Sequence, residues 1–536
     1  MASSTMAPYK CFSCHLRVAG KGCFRRPFSS CTPRAAIANR PSNAPKPSID
    51  IKHIRQNPDL YTRNCQDRNY QAQSSSSSRI IKLFDEWQSL QKSARGLRER
   101  NNDLRRRLTN PPSVCGESST EAKSRDVLLE EARALKVQLS EIEAKEESLT
   151  SEIEDLALEL PNLTSPNTPT GAEPKLLGYI NEHPEPSPSS SDRVWRSHVH
   201  IGSELELLNF AAAAKSTGWG WYYLVNEAAL LEQALIQYAL SLAIEKGWRV
   251  VSPPSIVYSH IANACGFRPR DQNGEQQIYA LEQPEKDKRK PELSLAGTAE
   301  IPLAAMKATE TLDEEALPLK TIGVSRSYRA EAGARGVDTK GLYRVHEFTK
   351  VEMFAWTMPD AADANEGAVT ESQSTALFDE MLALQTTFLQ SLNLHCRILE
   401  MPSLDLGASA TRKIDIEAFF PSRRAHSDGW GELSSLSLCT DYQTRRLGTR
   451  VRVSGPRANG AQGGNAKVGG GAAAAAGAGS RLDYPWTLNG TAVAVPRVVA
   501  ALLENGWDED RAVVAIPEVL RRWMPGGMKE IRRAKR

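Results

Sequence analysis

Ser327 to Met353 reads SYRAEAGARGVDTKGLYRVHEFTKVEM, and the fold turns on this stretch. An Arg-x-Glu, Arg329 to Glu331, precedes a polar glycine-containing loop; a second strand-like run then carries Arg344, Phe348 and Glu352 at four-residue intervals. Side chains of an extended strand alternate with period two, so Arg344, His346, Phe348, Lys350 and Glu352 share one face. A guanidinium, an aromatic ring and a carboxylate then line one surface, with Arg329 and Glu331 on the paired strand. That surface offers a planar donor fork for a phosphate, a stacking partner for a purine, and an acid for an ammonium or hydroxyl. Such a set suits a nucleotide whose α-phosphate is attacked by a small amino acid's carboxylate. A half-buried hairpin with a charged solvent face fits the same pattern.

The rest of the chain sets bounds. Its 536 residues allow more than one domain, and a net charge of +3 neither demands nor excludes nucleic acid. No apolar run approaches the roughly 18 to 20 residues that span a bilayer, so no membrane partner is expected. The nine cysteines lack the dense spacing of a disulfide scaffold. Residues 1–49 contain no Asp or Glu but carry Lys10, Arg17, Lys21, Arg25, Arg26, Arg34, Arg40 and Lys46 among Ser and Ala. This is the composition of a mitochondrial transit peptide, and it predicts the mitochondrial matrix; a basic disordered tail is the alternative. Arg26-Pro27-Phe28-Ser29-Ser30 also resembles a mitochondrial processing site. Cys11, Cys14, Cys23 and Cys31 are spaced like zinc ligands but have no surrounding fold to hold them, so no zinc site is read there.

Two segments follow with coiled-coil spacing. Leu83, Trp87, Leu90, Ala94, Leu97, Asn101, Leu104 and Leu108 step by four and three; Leu128, Ala132, Leu135, Leu139, Ile142, Glu146, Leu149, Ile153, Leu156 and Leu160 do the same. Pro111-Pro112 and Gly116 between them cannot continue a helix, which predicts an antiparallel hairpin. The first helix is basic toward the turn, through Lys92, Arg95, Arg98, Arg100, Arg105, Arg106 and Arg107. Positive charge at the free end of a rod suits phosphate contacts, although a merely solvated face has the same composition. Residues 166–192, rich in Pro, Ser and Asn, read as a linker. Beyond it, Glu227–Gly247 is periodic as a helix, with a strand at Trp248–Val251. The Gly/Ala-rich run at about 456–480 lacks the ending of a phosphate-binding loop and reads as a surface insertion.

The hairpin at 327–353 resembles motif 2 of the class II aminoacyl-tRNA synthetases, and its wording resembles the seryl-tRNA synthetase family. Other signatures of that family occur in order: Thr298-Ala299-Glu300, Asp415-Ile416-Glu417-Ala418, Glu432-Leu433-Ser434-Ser435, Asp441-Tyr442-Gln443-Thr444-Arg445-Arg446, and Leu488-Asn489-Gly490-Thr491 leading to Pro496-Arg497. The resemblance implies an α+β fold. An antiparallel helical coiled-coil arm at 50–165 would precede a class II catalytic domain at 193–536, built on an antiparallel sheet with flanking helices. It implies ATP and Mg²⁺ as cofactors and L-serine and serine tRNA as substrates. It also implies a homodimer built through the 227–251 helix and strand.

By the same resemblance, Arg329 grips the α-phosphate and the serine carboxylate, while Arg344 and Arg497 hold the outer phosphates; with Glu331 these form the catalytic set. Phe348 stacks on adenine, flanked by Ala330 and the Val345 backbone. Glu432 and Ser435 ligate Mg²⁺, with Leu433 and Ser434 between them in the ATP site. Thr298, Ala299, Glu300, Glu352, Asn489 and Thr491 surround the serine, and Arg98, Arg105, Arg106 and Arg107 contact tRNA. Glu432 and Ser435 are three residues apart, so a regular strand cannot place both on one face and a bulge or strand end is implied.

Overall fold

The computed structural model describes residues 44–109, 119–182, 196–267, 277–331, 341–360, 372–424, 427–454 and 480–533, all within the unit Asn43–Arg536. The processing site, the cysteine cluster, the arm's turn and the Gly/Ala-rich insertion lie outside the described residues.

Heptad spacing becomes two long helices, α1 (Ser76–Thr109) and α2 (Ser119–Glu159), of 34 and 41 residues. At 1.5 Å per residue they extend about 50 and 60 Å. Ala94, Leu104, Leu135, Leu139, Leu149 and Ile153 are buried along the seam, each larger side chain contributing roughly 1.5–3 kcal/mol. The polar Glu146 is accommodated because Arg98 Nη2 donates to both its oxygens at 2.7 Å. At the arm's base Ile54, Cys65, Ile80, Ala157 and Leu160 close a small core. Asn162 then pins the arm to the sheet, its Nδ2 donating to Ser409 O at 2.8 Å and Thr440 Oγ1 at 3.0 Å.

Residues 44–49, read as the end of the transit peptide, pack on this body. Ser48 N–H donates to Arg445 O at 2.9 Å, and Arg445 Nη1 donates to Ser48 O at 3.3 Å.

The segment read as a linker also needs correction, since it contributes the edge strand β1 (Lys175–Ile180). After it come α3 (His198–Glu204), α4 (Glu227–Glu245), β2 (Arg249–Val251), α5 (Glu300–Ala305), β3 (Leu319–Tyr328) and β4 (Glu347–Thr357). The chain continues through α6 (Gln373–Ser391), β5 (Cys396–Glu400), β6 (Arg412–Phe419), β7 (Trp430–Thr440), β8 (Trp486–Ala494) and α7 (Val495–Asn505). The eight strands form one sheet in the order β1-β5-β6-β7-β8-β4-β3-β2. All neighbours are antiparallel except β2 and β3. Strand alternation sorts the two faces: Val351, Met353 and Ala355 of β4 join the core under α4, α6 and α7, whereas Phe354 and Trp356 pack with Ile261 and Leu303 on the other side. Phe348, Lys350 and Glu352 therefore point to the second face, away from the helical layer.

Candidate active site

The site spreads over that second face, across β7, β8 and β4 and the end of β3. Arg329 follows β3 directly. Its N–H donates to His346 O at 2.9 Å, and its guanidinium carbon lies 5.3 Å from the centroid of the Phe348 ring. Burial and the neighbouring Arg497 lower its pKa, yet a guanidinium remains charged at neutral pH. Glu331 takes a left-handed φ of 48°, uncommon for a residue with a side chain. That turn aims its carboxylate at Arg344, which donates through Nη1 at 3.2 Å. Ala330 N–H donates to Gln277 O at 3.1 Å, and Val345 is buried beside this segment.

Two buried acids form the next cluster. Glu300 begins α5, with its N–H donating to Thr298 Oγ1 at 3.3 Å and buried Ala299 between them. Its carboxyl receives Gln443 Nε2 at 2.6 Å and Asn489 Nδ2 at 3.1 Å. Glu352, opposite Thr491 in register, pairs with Lys350 Nζ at 2.6 Å and accepts the Thr491 hydroxyl at 3.2 Å. The direct Lys350 contact belongs to Glu352. Burial first, and then repulsion from Glu352, push Glu300 up to about 8.

The third cluster depends on a slip in register. The β6–β7 pairing shifts between Glu432 and Ser434, and the bulge buries Leu433 and Ser434 while Glu432 and Ser435 stay partly open on one face. Leu433 is in the helical-side core, so only its backbone can face a ligand. Arg497 on α7 reaches Glu432 Oε2 at 3.1 Å, Glu432 O at 3.0 Å and, through Nε, Tyr343 O at 3.2 Å. Burial would raise the Glu432 carboxyl, but Arg497, Lys413 and Arg329 hold it well below the usual carboxylate range. Beside it, burial pushes Asp415 up despite the Lys413 Nζ contact at 2.6 Å.

This donor set suits Mg²⁺. It offers an ionised carboxylate and a hydroxyl on one face, with Asp415 opposite Ser435 in register and its buried Oδ1 lacking a hydrogen-bond partner. Among the described residues no cluster of three or more His, Cys, Asp or Glu could hold a metal ion.

Lys350, Gln443, Lys413, Asp415 and Tyr343 received no role from the sequence, although each lies within or beside a quoted motif. Gln443 and Tyr343 meet partners remote in sequence, Glu300 and Arg497, whereas Lys350 pairs with Glu352 and Lys413 with Asp415 two residues along the same strand. On the arm, Arg98 is engaged with Glu146 and Arg107 Nε meets Asp103 at 3.1 Å, while Arg105 and Arg106 are exposed.

Residues 279–459 match the family described as tRNA synthetase class II core domain (G, H, P, S and T), and residues 49–164 match the seryl-tRNA synthetase N-terminal domain. Over 466 residues the chain is 37% identical to the mitochondrial serine-tRNA ligase of Schizosaccharomyces pombe, covering 87% of this chain and 86% of that one. The chain belongs to the seryl-tRNA synthetase family. The mitochondrial serine-tRNA ligase of Saccharomyces cerevisiae is 39% identical over 396 residues, covering 74% of this chain and 77% of the relative. A crystal structure of the Pyrococcus horikoshii seryl-tRNA synthetase complexed with ATP superposes with a TM-score of 0.71 at 30% identity, covering 91% of this chain and all of that one. In this synthetase the arm and the class II sheet meet at Asn162, just inside the end of the matched N-terminal region.

Proposed function

We propose that this family member activates L-serine with ATP to seryl-adenylate and passes the seryl group to the 3′ end of serine tRNA in the mitochondrial matrix. Glu300 carries the reading. A buried carboxyl held against Glu352 and walled by Thr298, Asn489 and Thr491 needs a cation in order to ionise, and the serine ammonium supplies one. The serine hydroxyl meets Glu352 and Thr491. Alanine would leave those buried groups unpaired, and such a site rejects it strongly.

In the first step a serine carboxylate oxygen attacks the α-phosphorus, the bond to the bridging oxygen breaks, and diphosphate leaves. Charge grows on phosphate oxygens, so positioned cations matter more than proton shuttles. Arg329 holds the α-phosphate and the serine carboxylate, while Arg344 and Arg497 turn from Glu331 and Glu432 to the outer phosphates. Phe348 stacks on adenine. Glu432 and Ser435 would hold Mg²⁺, which would supply counter-charge to the phosphates. In the second step the terminal adenosine hydroxyl of tRNA attacks the seryl carbonyl, and AMP leaves.

Arg105, Arg106 and Arg107 contact tRNA phosphates. Homodimerisation covers the apolar surface of exposed Val250, Ile256, Tyr258 and Met306, beside a groove of about 860 Å³. Serine-dependent exchange of diphosphate into ATP, followed by charging of organellar against cytosolic tRNA, tests the function. Absence of exchange with serine would refute it. An intact Met1 on a cytosolic pool, with none in mitochondria, would refute the location.

A further inference from the structure

A buried imidazole and carboxylate behind the site take part in none of these steps. His198 in α3 and Glu504 in α7 are 306 residues apart, and His198 Nδ1 lies 2.8 Å from Glu504 Oε1. The same oxygen accepts the His198 N–H at 3.0 Å and the Ser422 hydroxyl at 2.9 Å, and Oε2 accepts the Ser422 N–H at 3.2 Å. Burial works against ionisation of Glu504, but the hydrogen bonds from His198 and Ser422 outweigh it and its pKa lies below the ordinary value. At the far edge of the ring, Nε2 lies 3.0 Å from the backbone nitrogen of Leu342. A backbone amide can only donate, so Nε2 accepts and the ring proton sits on Nδ1 toward the carboxylate. Both ring nitrogens are thereby occupied in one orientation.

The imidazole holds the start of the segment Gly341–Arg344 that leads into β4. Gly341 has a φ of 90°, and a Cβ there would come within 2.2 Å of His198 Nε2, so ring and backbone touch without spare room. Tyr343 next accepts Arg497 Nε at 3.2 Å through its carbonyl, and its ring centroid lies 4.8 Å from that guanidinium carbon. Arg344 then meets Glu331. Arg497 and Glu504 are seven residues apart on α7, about two turns, which puts them on one face. One helix thus fastens the segment twice, directly through Arg497 and indirectly through Glu504 and His198.

We propose that His198 and Glu504 are positioning residues for ATP, holding residues 341–344 so that Tyr343 backs Arg497 and Arg344 faces the phosphates. The proposal rests on the reading of Arg344 and Arg497 as phosphate ligands, and neither member of the pair touches substrate. Displacing a positioning element by 1 Å costs on the order of 10²-fold; with the Arg497 anchor retained, losing the second anchor should weaken ATP roughly tenfold.

The test measures, on the full chain, the ATP dissociation constant by equilibrium binding and the ATP and serine KM values in diphosphate exchange. In His198→Ala the ATP constants should rise roughly tenfold with the serine KM unchanged, the split that marks lost positioning of one substrate. His198→Gln should recover most of the loss, because its amide oxygen can accept from Leu342 while its NH₂ donates to Glu504. If His198→Ala does not fold, Glu504→Gln takes its place and has to show the same ATP-specific rise. Unchanged ATP constants in a folded variant would overturn the proposal, as would a fall in kcat and thermal midpoint alone. Wild-type protein that binds ATP but shows no serine-dependent exchange would refute the functional reading, and the binding ratio would still decide the positioning claim.

Discussion

Replacing Glu300 with Gln should make the protein more stable at neutral pH while disabling it. Burial and then Glu352 raise this carboxyl from 4.5 to about 8 in the folded chain. Between those values the folded state binds more protons than the unfolded state, so Glu300's contribution is most favourable below pH 4.5 and is lost as pH rises toward 8. At about 1.4 kcal/mol per pH unit, the loss reaches about 3 kcal/mol at pH 7. Glutamine does not ionise and escapes it. Against this, its single oxygen faces two donors, Gln443 Nε2 and Asn489 Nδ2. Gln443 is fixed in orientation because its own Oε1 accepts the Thr487 hydroxyl at 2.7 Å. One buried donor left unpaired costs on the order of 1 kcal/mol. The variant should therefore be less stable than its parent by about 1 kcal/mol at pH 4.5 and more stable by about 2 kcal/mol at pH 7, the two curves crossing at about pH 5. Thermal midpoints of both proteins, taken without ligand in steps from about pH 4.5 to 8.5, follow the crossing. A difference that stays constant across that range would mean Glu300 titrates normally in the fold, and the electrostatic account of the serine pocket would fail.

Serine binding near pH 7 should release close to one proton per site, since the incoming ammonium forces Glu300 to ionise. Calorimetry in buffers of different ionisation enthalpy reads this directly, and a buffer-independent heat would contradict it. Arg329→Ala should lower diphosphate exchange by about 10² to 10³ while leaving the thermal midpoint near that of the parent; near-normal exchange would show that another arginine holds the α-phosphate. Exchanging Arg105, Arg106 and Arg107 for Gln should weaken tRNA binding and flatten its salt dependence with serine and ATP constants unchanged, and an unaltered salt slope would exclude them as phosphate contacts.

What the sequence revealed and what it hid divide along the range of the interactions. The arm was legible because a 3.5-residue period is a local property of Leu83–Leu108 and Leu128–Leu160, and motif 2 because Phe348, Lys350 and Glu352 keep strand parity, whereas Arg344 and His346, read onto the same strand, lie in the irregular segment before it. The edge strand Lys175–Ile180 was hidden. It is mostly exposed, its register slips between Leu176 and Gly178, and its partner strand among the described residues is Cys396–Glu400, far along the chain. A propensity reading sees only its Pro- and Ser-rich surroundings. The partners that tune the site were hidden for the same reason, since Gln443 meets Glu300 across 143 residues and His198 meets Glu504 across 306. Arg98 was read as a tRNA contact, and its pairing with Glu146 in the opposing helix was hidden because that partner lies 48 residues away.

The bulge in β7 makes chain length, and not only side-chain identity, part of the design. Between Glu432 and Ser435 the strand carries one residue more than its neighbour β6. Removing a residue there would restore plain alternation and put every later side chain of β7 out of phase, turning core residues such as Leu436 toward the ligand and Ser437 into the core. Strands Arg450–Val453 and Arg481–Asp483 obey a different rule, because Val453 lies directly opposite Arg481 and the chain leaves and returns at a single point. Insertions of any size can hang from such a point without shifting a ligand. The protein thus keeps strict count in one hairpin and none in the other, and deletions drifting through its lineage should be absent from the first and frequent in the second.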